Sequence, residues 1–139
     1  MKIMAIDYGD AHTGIAVSDA LLTLAGFTTV ITAYRSEVVA AEIQRLIAEH
    51  GVTELVLGHP LNMDGTRGPR AEKAEGFAAL LRETTGLPVT LWDERRTTVD
   101  AHNILMAGGK NAKQRKKTVD AVAASLMLEG YLTFKKRQK

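Results

Sequence analysis

Three acidic residues, Asp7, Glu94 and Asp120, occur where their carboxylates could meet in one cleft. Asp7 follows the apolar run at residues 3–6, and Glu94 follows the run at residues 89–92, so both acids come at the ends of expected buried strands. Asp120 opens the last expected helix. Hard divalent cations prefer carboxylate oxygens. The three acids therefore predict a site for a divalent cation such as Mg²⁺ or Mn²⁺.

The elements that must position these acids alternate between strand and helix periodicity, which predicts an α/β fold. Pro69 can begin a helix, and Gly51 and Gly86 can follow the ends of two helices. The predicted order is βββαβαβαα, with a mixed five-stranded sheet flanked by helices. The strands are expected at residues 2–6, 14–18, 27–33, 54–57 and 89–92, and the helices at 36–50 (capped by Ser36), 69–85, 97–106 and from about 118.

The length of 139 residues fits one domain, placed at residues 1–134 and followed by a basic tail at 135–139. The chain has no cysteine, which excludes disulfides and thiolate zinc sites, and its four histidines lack the paired spacing of a zinc helix. Mg²⁺ or Mn²⁺ remains the expected metal. No apolar stretch reaches the roughly 20 residues of a membrane span. We therefore expect a cytoplasmic protein with no membrane partner.

The net charge of +2 is unevenly distributed along the chain. Residues 1–109 hold 9 Lys and Arg against 14 Asp and Glu, whereas residues 110–139 hold 9 against 2. A basic segment of this kind is typical of proteins that bind nucleic acid, although it could also be only a solvated loop. Its position beside Asp120 favours nucleic acid, and the predicted phosphate-binding residues are Lys113, Arg115, Lys116 and Lys117.

The segment at residues 59–70 is too rich in glycine, proline and polar residues for regular structure, and it is long for a simple connection. It could be a plain surface excursion. Long loops between firm elements often carry function, however, and Asn62, Arg67 and Arg70 could contact a substrate. Arg95 could bind a phosphate or hold a carboxylate.

Four motifs occur in order along most of the chain: Asp7-Tyr8-Gly9, the segment at residues 58–65, the triplet at 93–95 and the triplet at 119–121. This set resembles the YqgF/RuvX-type pre-16S rRNA nucleases, also described as Holliday-junction-resolvase-like, over roughly residues 1–132. The resemblance implies an RNase H-like fold, a divalent-metal nuclease and trimming of the 5′ end of ribosomal RNA precursor. Only one of Asp93 and Glu94 can face the Asp7 cleft, and the resemblance favours Glu94.

The mechanism that fits these expectations uses two cations, with Asp7 bridging them and Glu94 and Asp120 completing their coordination. With aromatic residues at only 5% of the chain, contacts to nucleic acid should go mostly to phosphates. The substrate could be structured or single-stranded RNA or branched DNA. The sequence leaves the oligomeric state open.

The chain departs from the family pattern in three places. The family's Gly-x-Lys-Arg is Gly9-Asp10-Ala11-His12 here, so a basic pair that could meet phosphate is missing. His59 replaces a leucine between Gly58 and Pro60, and Arg96 replaces the leucine after the acidic triplet. None of these changes removes one of the three acids.

Alternative interpretations remain for the acids and for the whole chain. Asp7 could form an Asx-turn with Gly9, and Asp120 could simply stabilise the first turn of a helix. The chain could be a Holliday-junction-type DNA nuclease or a non-catalytic nucleic-acid-binding module of the same fold. A phosphotransferase of the sugar-kinase and actin type also begins with a strand that ends in Asp-x-Gly.

Overall fold

The computed structural model describes residues 2–22, 25–94 and 112–137, and for residues 112–120 it describes the backbone alone. Within these ranges the chain forms strands and helices in the order that the sequence predicts. The elements are β1 (Lys2–Asp7), β2 (His12–Ser18), β3 (Ala25–Thr32), α1 (Ser36–His50), β4 (Val52–His59), α2 (Pro69–Thr85), β5 (Val89–Asp93) and α3 (Ala112–Arg137).

The five strands form one mixed sheet in the order β3-β2-β1-β4-β5. β1 lies at the centre, antiparallel to β2 and parallel to β4, and β4 is parallel to β5. The carboxyl ends of β1, β4 and β5 therefore lie along one edge of the sheet, which we call the carboxyl edge. Ligands of open α/β sheets commonly bind at this edge. The predicted α/β class and its mixed five-stranded sheet are confirmed.

Helices cover both faces of the sheet, which explains why β1 is apolar without interruption. Met4 and Ile6 point to the face packed by α1 and α2, whereas Ile3 and Ala5 point to the face packed by α3. On the α3 face, the single tryptophan, Trp92, is 5% exposed. Trp92 packs edge-on against Tyr131 and Phe134, which places the last turns of α3 over β5.

The ends of α2 follow the sequence signals. Pro69 occupies the first turn, where its missing N–H costs no hydrogen bond. Gly86 ends the helix with φ of 71°, and its N–H donates to the Arg82 carbonyl at 2.9 Å. This left-handed conformation favours glycine, because a Cβ would strain it.

The structure corrects three expectations about helix ends. The last helix begins at Ala112 and not near Thr118, so the segment expected to be a basic loop is helical from residue 112. Helix α1 has Arg35 at its N-cap position, and Ser36 is its first helical residue. Helix α3 continues to Arg137, past the boundary expected at residue 134.

Lys135, expected in a basic tail, belongs to the packed structure. Its Nζ donates to Glu54 Oε1 at 2.8 Å, and the Tyr131 hydroxyl donates to the other oxygen of Glu54. The expected short helix at residues 97–106 lies outside the described residues. No helix in the described part of the chain is long and apolar enough to cross a membrane.

Candidate active site

Asp7 is the last residue of the central strand, so its backbone lies at the carboxyl edge. It pairs with Gly14 of β2. Because side chains alternate along a strand, Asp7 continues the row of Ile3 and Ala5 and points to the α3 face of the sheet. Its side chain is partly buried.

Glu94 immediately follows β5, and it reaches back over the neighbouring strand. Trp92 faces α3, so alternation directs Glu94 to the same face as Asp7. The Glu94 carboxylate lies against Gly58 of β4, the strand between β1 and β5. A Cβ at Gly58 would lie 2.2 Å from Glu94 Oε1. The missing side chain at Gly58 therefore provides the space through which Glu94 approaches Asp7.

The Asp7 and Glu94 carboxyl groups interact directly. The pKa of Asp7 is raised to about 7; burial is the largest cause, followed by the charge of Glu94 and a hydrogen bond with Glu94. The positive charge of Arg70 acts in the opposite direction and lowers the Asp7 pKa. Two carboxylates this close cannot both be ionised without a compensating positive charge, which a proton or a bound cation could provide.

This raised pKa predicts how Asp7 affects stability. The folded protein keeps a proton on Asp7 up to about pH 7, whereas the unfolded chain loses it near pH 4. Ionisation therefore costs folding free energy, and the Asp7 contribution to stability falls as pH rises from 4 to 7. Relative to wild type, Asp7→Asn should gain about 2 to 4 kcal/mol of unfolding free energy between pH 4 and pH 8 without metal.

Urea unfolding of both proteins at pH 4, 6 and 8, followed by Trp92 fluorescence in EDTA, checks this difference. Subtraction removes the titration of the carboxyl groups that do not contact Asp7, so the difference reports on the Asp7–Glu94 pair. A difference that stays constant with pH would contradict the description of Asp7 as a partly buried, repelled carboxyl group.

The loop between β4 and α2 is held by its own hydrogen bonds. The Asn62 N–H donates to the Thr66 carbonyl at 2.9 Å, and the Asn62 amide donates to Thr66 Oγ1 at 2.9 Å. Thr66 in turn donates from its N–H to Asp64 Oδ1 at 3.0 Å. Asn62, expected to contact substrate, therefore serves the shape of the loop in this structure.

Glu75 on α2 forms hydrogen bonds with residues at both ends of the same loop. Arg67 donates to Glu75 with two nitrogens, and His59 Nε2 lies 2.7 Å from Glu75 Oε2. Hydrogen bonds from Arg67 and His59 lower the pKa of Glu75 to about 2. The Arg67 guanidinium, expected to bind phosphate, is thus engaged with a carboxylate. Of the loop residues predicted to bind substrate, Arg70 is the one whose charge acts on Asp7.

A small pocket opens at the carboxyl edge directly after Asp7. Its volume is about 30 Å³, and it is lined by Tyr8, Gly9, Asp10, Pro60, Arg70 and Lys73. Sequence reasoning did not single out Lys73, although its spacing of three residues from Arg70 on a predicted helix puts both on one side. It also gave Gly58 no specific role, because the contact with Glu94 joins residues distant in sequence.

The third acid, Asp120, lies two turns inside α3, because the helix begins at Ala112. Helical spacing places position 120 on the same face as Ala124 and Met127, which are buried. Stabilisation by the helix dipole is confined to the first turn, so this alternative loses its basis for Asp120.

The side chain of Asp120 and those of the four basic residues at 113 and 115–117 lie outside the description, as does Arg95. Among the described side chains, which thus leave out Asp120, no group of three His, Asp or Glu residues could hold a metal. The described part of the site is the Asp7–Glu94 pair.

Comparison with known proteins gives concordant matches over almost the full chain. The RuvX family model, described as Holliday junction resolvase, matches residues 1–134. The chain is 43% identical over 139 residues to the "Putative pre-16S rRNA nuclease" of Carboxydothermus hydrogenoformans, with 99% of each chain covered. A Geobacillus kaustophilus relative of the same name is 44% identical over 138 residues, covering 98% of this chain and 100% of its own.

A solved structure extends the likeness to three dimensions. RuvC of T. thermophilus in complex with Holliday junction substrate has a TM-score of 0.64 and 18% identity, covering 97% of this chain and 96% of its own. At this identity the likeness shows a shared fold, and the RNase H-like fold expected from the sequence motifs is confirmed.

Proposed function

This chain belongs to the RuvX family of Holliday junction resolvases, a family of phosphodiester hydrolases, and from that membership we propose that it cleaves ribosomal RNA precursor with divalent cations held by Asp7 and Glu94. The observation that supports this proposal most directly is the partly buried pair that these two carboxyl groups form at the carboxyl edge. Membership decides against the phosphotransferase alternative. The non-catalytic alternative is left to the experiment below.

The donor set of the pair suits Mg²⁺ or Mn²⁺. Both groups offer carboxylate oxygens, which hard cations prefer, and the described site contains no sulfur ligand. Burial and the neighbouring Glu94 raise the pKa of Asp7, and a bound cation would offset the repulsion between the two carboxylates. Asp7, Glu94 and Asp120 would hold the cations.

Bound divalent cations would supply a water of lowered pKa and stabilisation of the leaving oxygen. The residues of the chain would hold the cations and orient the substrate. Gly58 allows Glu94 to approach Asp7, and the Trp92 packing against α3 fixes the strand from which Glu94 extends. Arg70 adds a positive charge beside the pair that could orient a substrate phosphate.

The proposed substrate is the precursor of 16S ribosomal RNA, which the names of the relatives indicate, and the proposed location is the cytoplasm. The basic start of α3 supports a polyanionic substrate, because Lys113, Arg115, Lys116 and Lys117 lie within its first two turns. Arg95 follows Glu94 directly and would add a phosphate contact. Branched DNA is the second candidate, because the matching family model is described as Holliday junction resolvase.

The test is cleavage of three end-labelled substrates side by side: precursor leader RNA, single-stranded DNA and a four-way DNA junction. Each is incubated with Mg²⁺, Mn²⁺ or EDTA. The proposal expects cleavage of the leader with either cation and none in EDTA. Cleavage that persists in EDTA would overturn the metal dependence, and binding of the leader without cleavage in either cation would favour the non-catalytic alternative.

Asp120→Ala should show whether Asp120 is a metal ligand. Because Asp120 lies beyond the first turn of α3, its loss should not reduce stability through the helix dipole. If Asp120 faces the other two acids, the metal-free variant should be as stable as wild type or more stable. Added Mn²⁺ should then raise the melting temperature of wild type more than that of the variant. Equal Mn²⁺-induced shifts would remove Asp120 from the site.

A further inference from the structure

We propose that the pocket between Tyr8 and Lys73 binds a second phosphate of the nucleic acid, next to the phosphate that is cleaved. This inference rests on the proposed function and extends it to a subsite. The pocket adjoins the acid pair, since Tyr8, Gly9 and Asp10 directly follow Asp7 in the chain. Arg70 lines the pocket from the first turn of α2.

The charge of the pocket suits an anion. Arg70 and Lys73 are separated by one turn of α2, so their two positive charges lie near each other and repel. An anion between them would relieve this repulsion. The guanidinium and the ammonium together offer several N–H donors and no acceptors, which suits phosphate oxygens.

The size of the pocket suits the oxygens of a phosphate. Its volume of about 30 Å³ has room for roughly two water-sized groups, such as the two unesterified oxygens of a phosphodiester. One wall is rigid, because the Tyr8 ring stacks on Phe77 with centroids 3.9 Å apart and an interplanar angle of 5°. Tyr8 is thus occupied by a ring of the protein.

Asp10 forms an ion pair with Lys73 in this structure. Lys73 Nζ donates to Asp10 Oδ1 at 2.5 Å, and this hydrogen bond is the largest cause that raises the Lys73 pKa. Both side chains are mostly exposed, 61% for Lys73 and 84% for Asp10, so the ion pair is weak and exchangeable. A phosphate entering the pocket would exchange with Asp10 for the lysine.

The subsite would take the place of the basic pair that the first motif lacks. Ala11 carries no charge, and the His12 ring lies 3.4 Å from Thr32 Oγ1 on β3. Arg70 and Lys73 place two cations at the same edge from a different element, the beginning of α2. The occupant can be an internal phosphodiester or a 5′-terminal phosphate, which share the same oxygen chemistry.

The experiment measures binding of a short end-labelled single-stranded RNA in EDTA, using strands in which one linkage at a time is a neutral methylphosphonate. A further pair of strands carries or lacks the 5′ phosphate. Wild type should lose about three- to tenfold in affinity when one particular phosphate is neutralised. On the fully charged strand, Lys73→Met should bind more weakly than wild type by a similar factor. Neutralising the sensitive phosphate should then cause no further loss of affinity in this variant. Its salt slope should be smaller by about 0.7.

Two further variants secure the interpretation. Asp10→Asn should bind more tightly than wild type, with the gain lost at the same phosphate. The control is Arg45→Ala, which removes a cation of similar exposure, 57%, that pairs with acids on α1. It should leave the position-dependent losses unchanged. The position of the sensitive phosphate tells an internal linkage from the 5′ terminus.

The subsite would be overturned if Lys73→Met and wild type lost the same factor in affinity at every neutralised phosphate. It would also be overturned if wild type failed to bind the strand. The proposed function is judged separately, by wild-type cleavage of the fully charged strand with Mn²⁺. If wild type cleaves the strand but Lys73→Met does not abolish the affinity loss at any one phosphate, the subsite alone is rejected. If Lys73→Met abolishes that loss but wild type does not cleave, the result supports the subsite and counts against the proposed nuclease activity.

Discussion

Asp7→Asn should reduce the rate of cleavage at saturating Mn²⁺ by at least about a hundredfold, because a neutral amide is a poor ligand for a hard cation. The substitution keeps the size of the side chain, so the fold should be unchanged. It also removes the repulsion with Glu94, and the metal-free protein should therefore be more stable than wild type at pH 8. Loss of activity together with a gain in stability is the signature of this site.

The measurement pairs single-turnover cleavage with urea unfolding of the same preparations. Glu83→Gln is the control, since it neutralises an exposed carboxyl group on α2. It should leave both quantities unchanged. If Asp7→Asn cleaved at the wild-type rate, or lost activity only by unfolding, Asp7 would not be a ligand of the catalytic cations.

Gly58→Ala should reduce the cleavage rate by about a hundredfold, because a displacement of about 1 Å in a catalytic group can have an effect of this size. The new methyl group would lie 2.2 Å from Glu94 Oε1, and the carboxylate would have to leave its position beside Asp7. The backbone at Gly58 does not require glycine, since its φ is not positive. The clash involves the end of a flexible side chain, so stability should change by only about 1 kcal/mol or less.

Gly76→Ala is the matched control. Gly76 lies on the exposed side of α2, and an added Cβ would meet nothing within 4 Å. This variant should gain about 0.5 to 1 kcal/mol of stability from helix propensity and keep full activity. Wild-type cleavage by Gly58→Ala would show that the position of Glu94 does not matter to the reaction.

The parts of the fold that the sequence predicts are those governed by local patterns. The apolar run before Asp7 gives a buried central strand, and Pro69 and Gly86 define the ends of α2 because their backbone conformations suit those positions. The same strand periodicity places Glu94 on the α3 face with Trp92.

The parts that the sequence does not predict depend on contacts between distant residues. The engagement of Arg67 with Glu75 and the contact of Glu94 with Gly58 join different elements, so no local pattern announces them. The start of α3 at Ala112 differs from the prediction of about residue 118, because a run of lysine and arginine resembles a solvated loop, although both residues have good helix propensity.

The most direct test of the account is whether Mn²⁺ binding displaces a proton from the Asp7–Glu94 pair. Calorimetric titration at pH 6 in two buffers of different ionisation enthalpy gives the number of protons released. Because the pKa of Asp7 is about 7, wild type should release on the order of one proton as Mn²⁺ binds, and Asp7→Asn should bind Mn²⁺ more weakly and release none. Equal Mn²⁺ affinity and equal proton release in the two proteins would contradict the assignment of Asp7 and Glu94 as the metal site.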